Sequence, residues 1–89
     1  MYIDVHGNDK RTRATRAFPS ELRRSARRKL LYLHEATSLT DLRVPPGNRL
    51  ERLKGDLEDF HSIRINDQWR VVFRWGEGNA YDVQIIDYH

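Results

Sequence analysis

The sequence predicts an α+β fold, with helices from the N-terminal part packed on a mainly antiparallel sheet. Three observations carry that prediction. Residues 60–89 fall into three alternating segments separated by short turn signals, the pattern of an antiparallel meander. Leu22, Ala26, Leu30 and Leu33 recur at steps of four, four and three, which marks one face of a helix. Between these two regions stands Val44-Pro45-Pro46-Gly47-Asn48, where proline removes backbone donors and Gly-Asn favours a turn.

In chain order, Tyr2-Ile3-Asp4-Val5 alternates and predicts a short edge strand. His6 to Asp9 reads as a turn or helix start, with Asn8 or Asp9 as N-cap. Lys10 to Ala17 is basic and lacks an apolar stripe, so it reads as a weak helix or a loop. Ser20 can cap the amphipathic helix that follows, and Glu21 sits where the helix dipole favours an acid. Arg23, Arg24, Arg27, Arg28 and Lys29 cover its other sides, and it should end near Ala36-Thr37. That basic side suits phosphates, an acidic protein or plain water. Leu39 and Leu42 anchor the next turn in the core, and Leu50 to Asp56 reads as an extended segment.

Face matching sets the meander's turns. With Asn66-Asp67-Gln68 as a three-residue loop, Ile65 faces Trp69, Ile63 faces Val71 and Arg64 faces Arg70. A loop from Gly76 to Ala80 places Trp75 opposite Tyr81, Phe73 opposite Val83 and Val71 opposite Ile85. The resulting apolar face is Ile63, Ile65, Trp69, Val71, Phe73, Trp75, Tyr81, Val83 and Ile85, which should pack on the helix. The other face carries Arg64, Arg70, Val72, Arg74, Asp82, Gln84, Ile86 and Tyr88. Arg74 and Asp82 come out as cross-strand partners, whereas Arg64 and Arg70 face each other with no predicted acid, an unfavourable pairing unless something anionic answers it. Asp87 or the terminal carboxylate is one such answer, and a phosphate is another.

Composition bounds the reading. Eighty-nine residues with 38% hydrophobic content suit one small domain, 1–89. The chain has no cysteine, so disulfides and thiolate metal sites are excluded and a reducing cytoplasm is the expected compartment. No apolar run approaches the ~20 residues of a transmembrane helix. Charge is unevenly spread: residues 1–54 hold 13 Lys/Arg against 6 Asp/Glu, residues 55–89 hold 3 against 7, and the balance is +3. A basic N-terminal half favours a polyanion such as nucleic acid or the ribosome.

An RNA backbone carries its own nucleophile, the 2′-OH. A protein need only move two protons and hold the extra negative charge on phosphorus. Arginine suits the last task through its planar, permanently charged fork. Lys54, Tyr88 and His89 are candidates for proton transfer, with the phenolate of a tyrosine among cations favoured. The four histidines (His6, His34, His61, His89) show no ligand spacing, Gly76-Glu77-Gly78 is a hairpin turn rather than a phosphate loop, and no serine shows a nucleophile signature. No cofactor or metal is expected.

Three stretches resemble the HigB toxins of the RelE/ParE superfamily: Pro45-Pro46-Gly47-Asn48-Arg49-Leu50-Glu51 running on to Leu53-Lys54-Gly55-Asp56; Ser62 to Arg70; and Asp82-Val83 with Ile85 and the terminal Asp87-Tyr88-His89. The match runs from about Phe18 to His89. It implies a RelE/ParE-like fold of N-terminal helices on a twisted sheet. It also implies a toxin that cuts translated mRNA in the ribosomal A site without a metal. The implied inhibitor is a HigA-like helix-turn-helix antitoxin, through which alone operator DNA would be bound. By this resemblance Lys54, Arg70, Tyr88 and His89 fall on catalytic positions, with Asp87 alongside. Arg64 and Arg74 join them as RNA-binding candidates from the face argument. Glu51 stands where some members place a histidine. A gyrase inhibitor on the same fold, or a non-catalytic module that only binds its antitoxin, are the competing readings.

Overall fold

A computed structural model of the chain describes residues 3–4 and 18–87. Tyr88 and His89, the Asn8/Asp9 cap and the Lys10–Ala17 segment lie outside the described residues. Strands β1 (Ile3–Asp4), β2 (Glu51–Arg52), β3 (His61–Arg64), β4 (Trp69–Gly76) and β5 (Asn79–Asp87) form one sheet in the order β1-β5-β4-β3-β2. β1 runs parallel to β5 at one edge, and every other neighbour is antiparallel. Helix α1 (Arg23–Glu35) crosses one face of the sheet.

The helix begins with a 3-10 turn at Ser20–Leu22, and no side chain caps it: Pro19, not Ser20, holds the N-cap position. Ala26 and Leu33 are buried from the predicted stripe, with Leu22 and Leu30 partly so. They meet Ile63, Trp69, Val71, Phe73, Val83 and Ile85 of the sheet, and Leu42 is buried in the same cluster. Phe18 closes over Trp69 edge to face, centroids 5.1 Å apart at 85°. The next turn, Leu39–Arg43, starts on a capping box in which Ser38 and Asp41 satisfy each other's backbone. Backbone and hydroxyl donors of Thr37 and Ser38 hold the Asp41 carboxyl below its ordinary pKa.

The three-residue loop forms as face matching requires, with Ile63 opposite Val71 and Arg64 opposite Arg70. The second turn differs. Register holds at Val71 opposite Ile85, then slips by one, so that Arg74 faces Tyr81 and Gly76 faces Asn79. The slip is a β-bulge at Asp82, whose φ is +52°. It shortens the expected five-residue loop to Glu77-Gly78, with φ of 53° and 76°, the backbone of a type I′ turn. It also turns Tyr81 out of the predicted core face, leaving it 45% exposed.

The expected polar face also carries a second small core. Val72 and Ile86 are buried there by Leu53 and Phe60, with Leu57 packed against them. The segment between β2 and β3 folds back over the sheet to supply those three residues. Each such burial stabilises by about 1.5–3 kcal/mol. Leu50–Asp56 is accordingly not one strand: pairing stops after Arg52, and a 3-10 turn at Gly55–Leu57 takes over.

Glu77 occupies a left-handed position that asparagine tolerates better. The Glu77→Asn substitution should therefore stabilise the fold by about 0.5–1 kcal/mol, a rise of a few degrees in Tm on thermal melting.

Candidate active site

Arg64 and Arg70 reach the same side of the sheet because cross-strand partners share a face. Each has an acid. Arg64 pairs with Asp67 of the three-residue loop, and Nη1 of Arg70 lies 3.7 Å from the Glu51 carboxylate. This corrects the expectation that neither arginine has an acidic neighbour: one acid is supplied by the turn and one by the edge strand. Arg49, Glu51, Arg64, Asn66, Asp67 and Arg70 together line a cleft of about 270 Å³.

Arg70 is held more firmly than Arg64. Its side chain is 11% exposed against 32%, and its Nη2 donates to the backbone carbonyl of Arg49 at 2.7 Å. That carbonyl is aimed by local structure. Arg49 has φ 45° and ψ 58°, a left-handed residue that ends the 3-10 turn Pro46–Asn48. Asn48, fully buried, pins this turn. Its amide donates to the carbonyls of Leu42 and Val44, and its oxygen accepts from Lys29 Nζ at 2.6 Å. Burial, then Arg28 and Arg64, hold the Lys29 pKa below its ordinary value. A chain of polar contacts thus runs from α1 through Asn48 and Arg49 to Arg70.

The other candidate residues are dispersed. Asp87 is 7% exposed, stands opposite Trp69 and accepts from the Gln68 side chain at 3.1 Å, so it holds the β3–β4 loop from behind. Arg74 meets Asp82 at 3.6 Å, an exposed ion pair worth about 0–1 kcal/mol. The partnership was expected, although the bulge rather than a regular rung provides it. The Arg74 guanidinium also lies 4.8 Å above the Phe60 ring. Arg74 borders a separate cleft with Arg52, Asp59, His61, Trp75 and Tyr81. Lys54 is exposed at the extended residue before the Gly55–Leu57 turn and does not line the Arg64/Arg70 cleft. Ser62 is fully buried, in keeping with its lack of a nucleophile signature.

Glu51 and Arg49 are site residues that face matching missed. Glu51 stands nineteen positions from Arg70, and their contact depends on β2 pairing with β3. The signal in the sequence was a lone acid within the basic run Arg49 to Lys54.

A family described as RelE-like toxin of type II toxin–antitoxin system HigB matches residues 4–89, further toward the N-terminus than the motifs alone. Toxin HigB-1 of Vibrio cholerae serotype O1 is 43% identical over 70 residues, which is 79% of this chain and 74% of that protein. An uncharacterized protein of Haemophilus influenzae is 35% identical over 71 residues, 80% of this chain and 69% of its own. Endoribonuclease HigB of Proteus vulgaris is 42% identical over 41 residues, 46% of this chain and 45% of its own.

The Asn48→Ala substitution should leave the Lys29 ammonium and two carbonyls without their partner. Chemical denaturation should show a loss of about 2–3 kcal/mol.

Proposed function

The chain belongs to the HigB family of RelE-like toxins of type II toxin–antitoxin systems, and we propose that it acts as an endoribonuclease on translated mRNA in the ribosomal A site. The observation that carries this reading is the cleft where two cross-strand arginines and a carboxylate converge. A phosphodiester seated there meets Arg70, held by the Arg49 carbonyl and so oriented before substrate arrives, and the more exposed Arg64 at the rim. Fixed donors of this kind stabilise charge that develops on phosphorus without reorganising.

In the proposed reaction the 2′-oxygen bonds to phosphorus as its proton leaves, and the bond to the 5′-oxygen breaks as that oxygen gains a proton. The products are a 2′,3′-cyclic phosphate and a 5′-hydroxyl. No metal takes part in the proposed route. Glu51, half exposed and directed at Arg70, is positioned to accept a proton within the cleft. Lys54, Tyr88 and His89 remain the family-derived candidates for the other proton transfer, and Asp87 supports the β3–β4 loop through Gln68. Arg74 serves flanking RNA rather than the scissile phosphate.

A toxin of this class has an antitoxin partner. We assign that role to a HigA-like helix-turn-helix protein, with operator DNA contacted through it, in the cytoplasm. No helix among the described residues is long and apolar enough to cross a membrane.

Induced expression followed by mapping of mRNA ends tests the reading. New ends inside translated frames are expected as growth stops, and purified toxin on programmed ribosomes should keep cutting in EDTA. Arg70→Ala should slow cleavage by about 10²–10³-fold with the fold intact by circular dichroism. Intact messages in arrested cells would overturn the assignment.

A further inference from the structure

A second cleft adjoins the first. It measures about 440 Å³, within the usual size of ligand sites, and is lined by Leu39, Pro46, Leu50 and His61 together with Arg43, Arg49 and Arg52. Arg49 is common to both clefts. The alternation of the edge strand explains the division: Glu51 faces the first cleft, and its neighbours Leu50 and Arg52 face the second. Because Arg49 borders both clefts, they meet at this edge.

The chemistry of the two clefts differs. The first has two acids among its cations, whereas the second has three arginines and no acid among the residues that line it. Leu39, Pro46 and Leu50 provide an apolar surface. His61 adds a planar ring fixed against Phe73, with centroids 5.8 Å apart and planes tilted by 31°. Burial, then Arg52, hold the His61 pKa below its ordinary value, which favours the uncharged ring. An apolar patch with a planar ring, bordered by cations, fits a nucleobase and its phosphate better than an acidic peptide, whose carboxylates would use the rim and leave the patch empty.

We propose that this second cleft is a nucleotide subsite: it stacks the base next to the scissile phosphate on Leu39, Pro46, Leu50 and His61, while Arg43 and Arg52 hold that nucleotide's phosphate. The proposal rests on the RNA-cleaving reading of the Arg70 cleft and adds to it the path of the substrate. It makes the β2 edge the turning point of a single strand, with the reacting phosphate on one side and the neighbouring base on the other.

The test uses the full chain and methyl and histidine NMR. The probes are a trinucleotide 2′-O-methylated at the scissile position, the same trinucleotide lacking the neighbouring base, and inorganic phosphate. The intact probe should shift Leu39, Leu50 and His61 signals. The abasic probe should bind about tenfold more weakly and leave those signals in place, given stacking of about 1–3 kcal/mol per base. Phosphate alone should leave the Leu39, Leu50 and His61 signals in place. The Arg43→Ala/Arg52→Ala double variant, both residues exposed, should weaken the intact probe and flatten its salt dependence by about one phosphate contact. Equal affinity for intact and abasic probes while the protein still cleaves message would overturn the subsite alone. Base-dependent binding without any cleavage would overturn the cleavage reading and leave the subsite standing. Exclusion of RNA from the cleft, with an acidic antitoxin segment shifting the same signals instead, would overturn the proposal in favour of a protein interface.

Discussion

The buried side chain of Asn48 is the constraint on which the site depends. A fully buried amide is costly unless its donors and acceptor are met, and here they are met from two parts of the chain, α1 and the segment that holds Leu42 and Val44. Its donors tie down the carbonyls of Leu42 and Val44, and its acceptor takes the Lys29 ammonium from α1. The proline-rich turn therefore has one position relative to the helix. Arg49, the next residue, inherits that position in a left-handed conformation, and its carbonyl is where Arg70 docks. A mobile guanidinium would lose conformational entropy on meeting phosphate, and one already anchored through a backbone carbonyl loses less.

Placing two arginines opposite each other on adjacent strands works against the sheet. The structure offsets the repulsion with two acids from opposite directions, Asp67 from the loop and Glu51 from the edge strand. The two pairs are unequal. Asp67 is almost wholly exposed and screened by water, so its hold on Arg64 is weak, whereas the Arg70 side chain is nearly buried. In the proposed function a phosphate entering the cleft displaces Asp67 at small cost and meets Arg70 already anchored. In the proposed reaction Glu51 has two roles, countering Arg70 before substrate binds and accepting a proton once it does.

The same edge strand organises the wider surface. Leu50, Glu51 and Arg52 alternate between an acid-containing cleft and one whose charged lining is arginine, and Arg49 borders both. The proposed substrate path is thus concentrated at one edge of the sheet, away from the parallel pairing of β1 with β5.

Local chemistry was enough to read much of this from the sequence. The period of the apolar residues set the helix and its buried face. Alternation on either side of Asn66-Asp67-Gln68 set the β3–β4 register, and with it the juxtaposition of Arg64 and Arg70, because one slipped residue would have inverted every side chain. Proline chemistry set the break at Val44–Asn48. What lay beyond local pattern is as specific. The bulge at Asp82 leaves no trace in alternation, since an extra residue on one strand is visible only against its partner, and so Tyr81 was misplaced. Val72 and Ile86 looked like outliers on a polar face until the β2–β3 connection folded over them. Glu51 meets Arg70, and Lys29 meets Asn48, across nineteen residues. The sequence by itself determined which residues share a face and which two arginines stand together. Only the tertiary structure decided which acid and which carbonyl hold them, because those partners come from elements whose approach depends on long-range packing rather than on any periodicity of the chain.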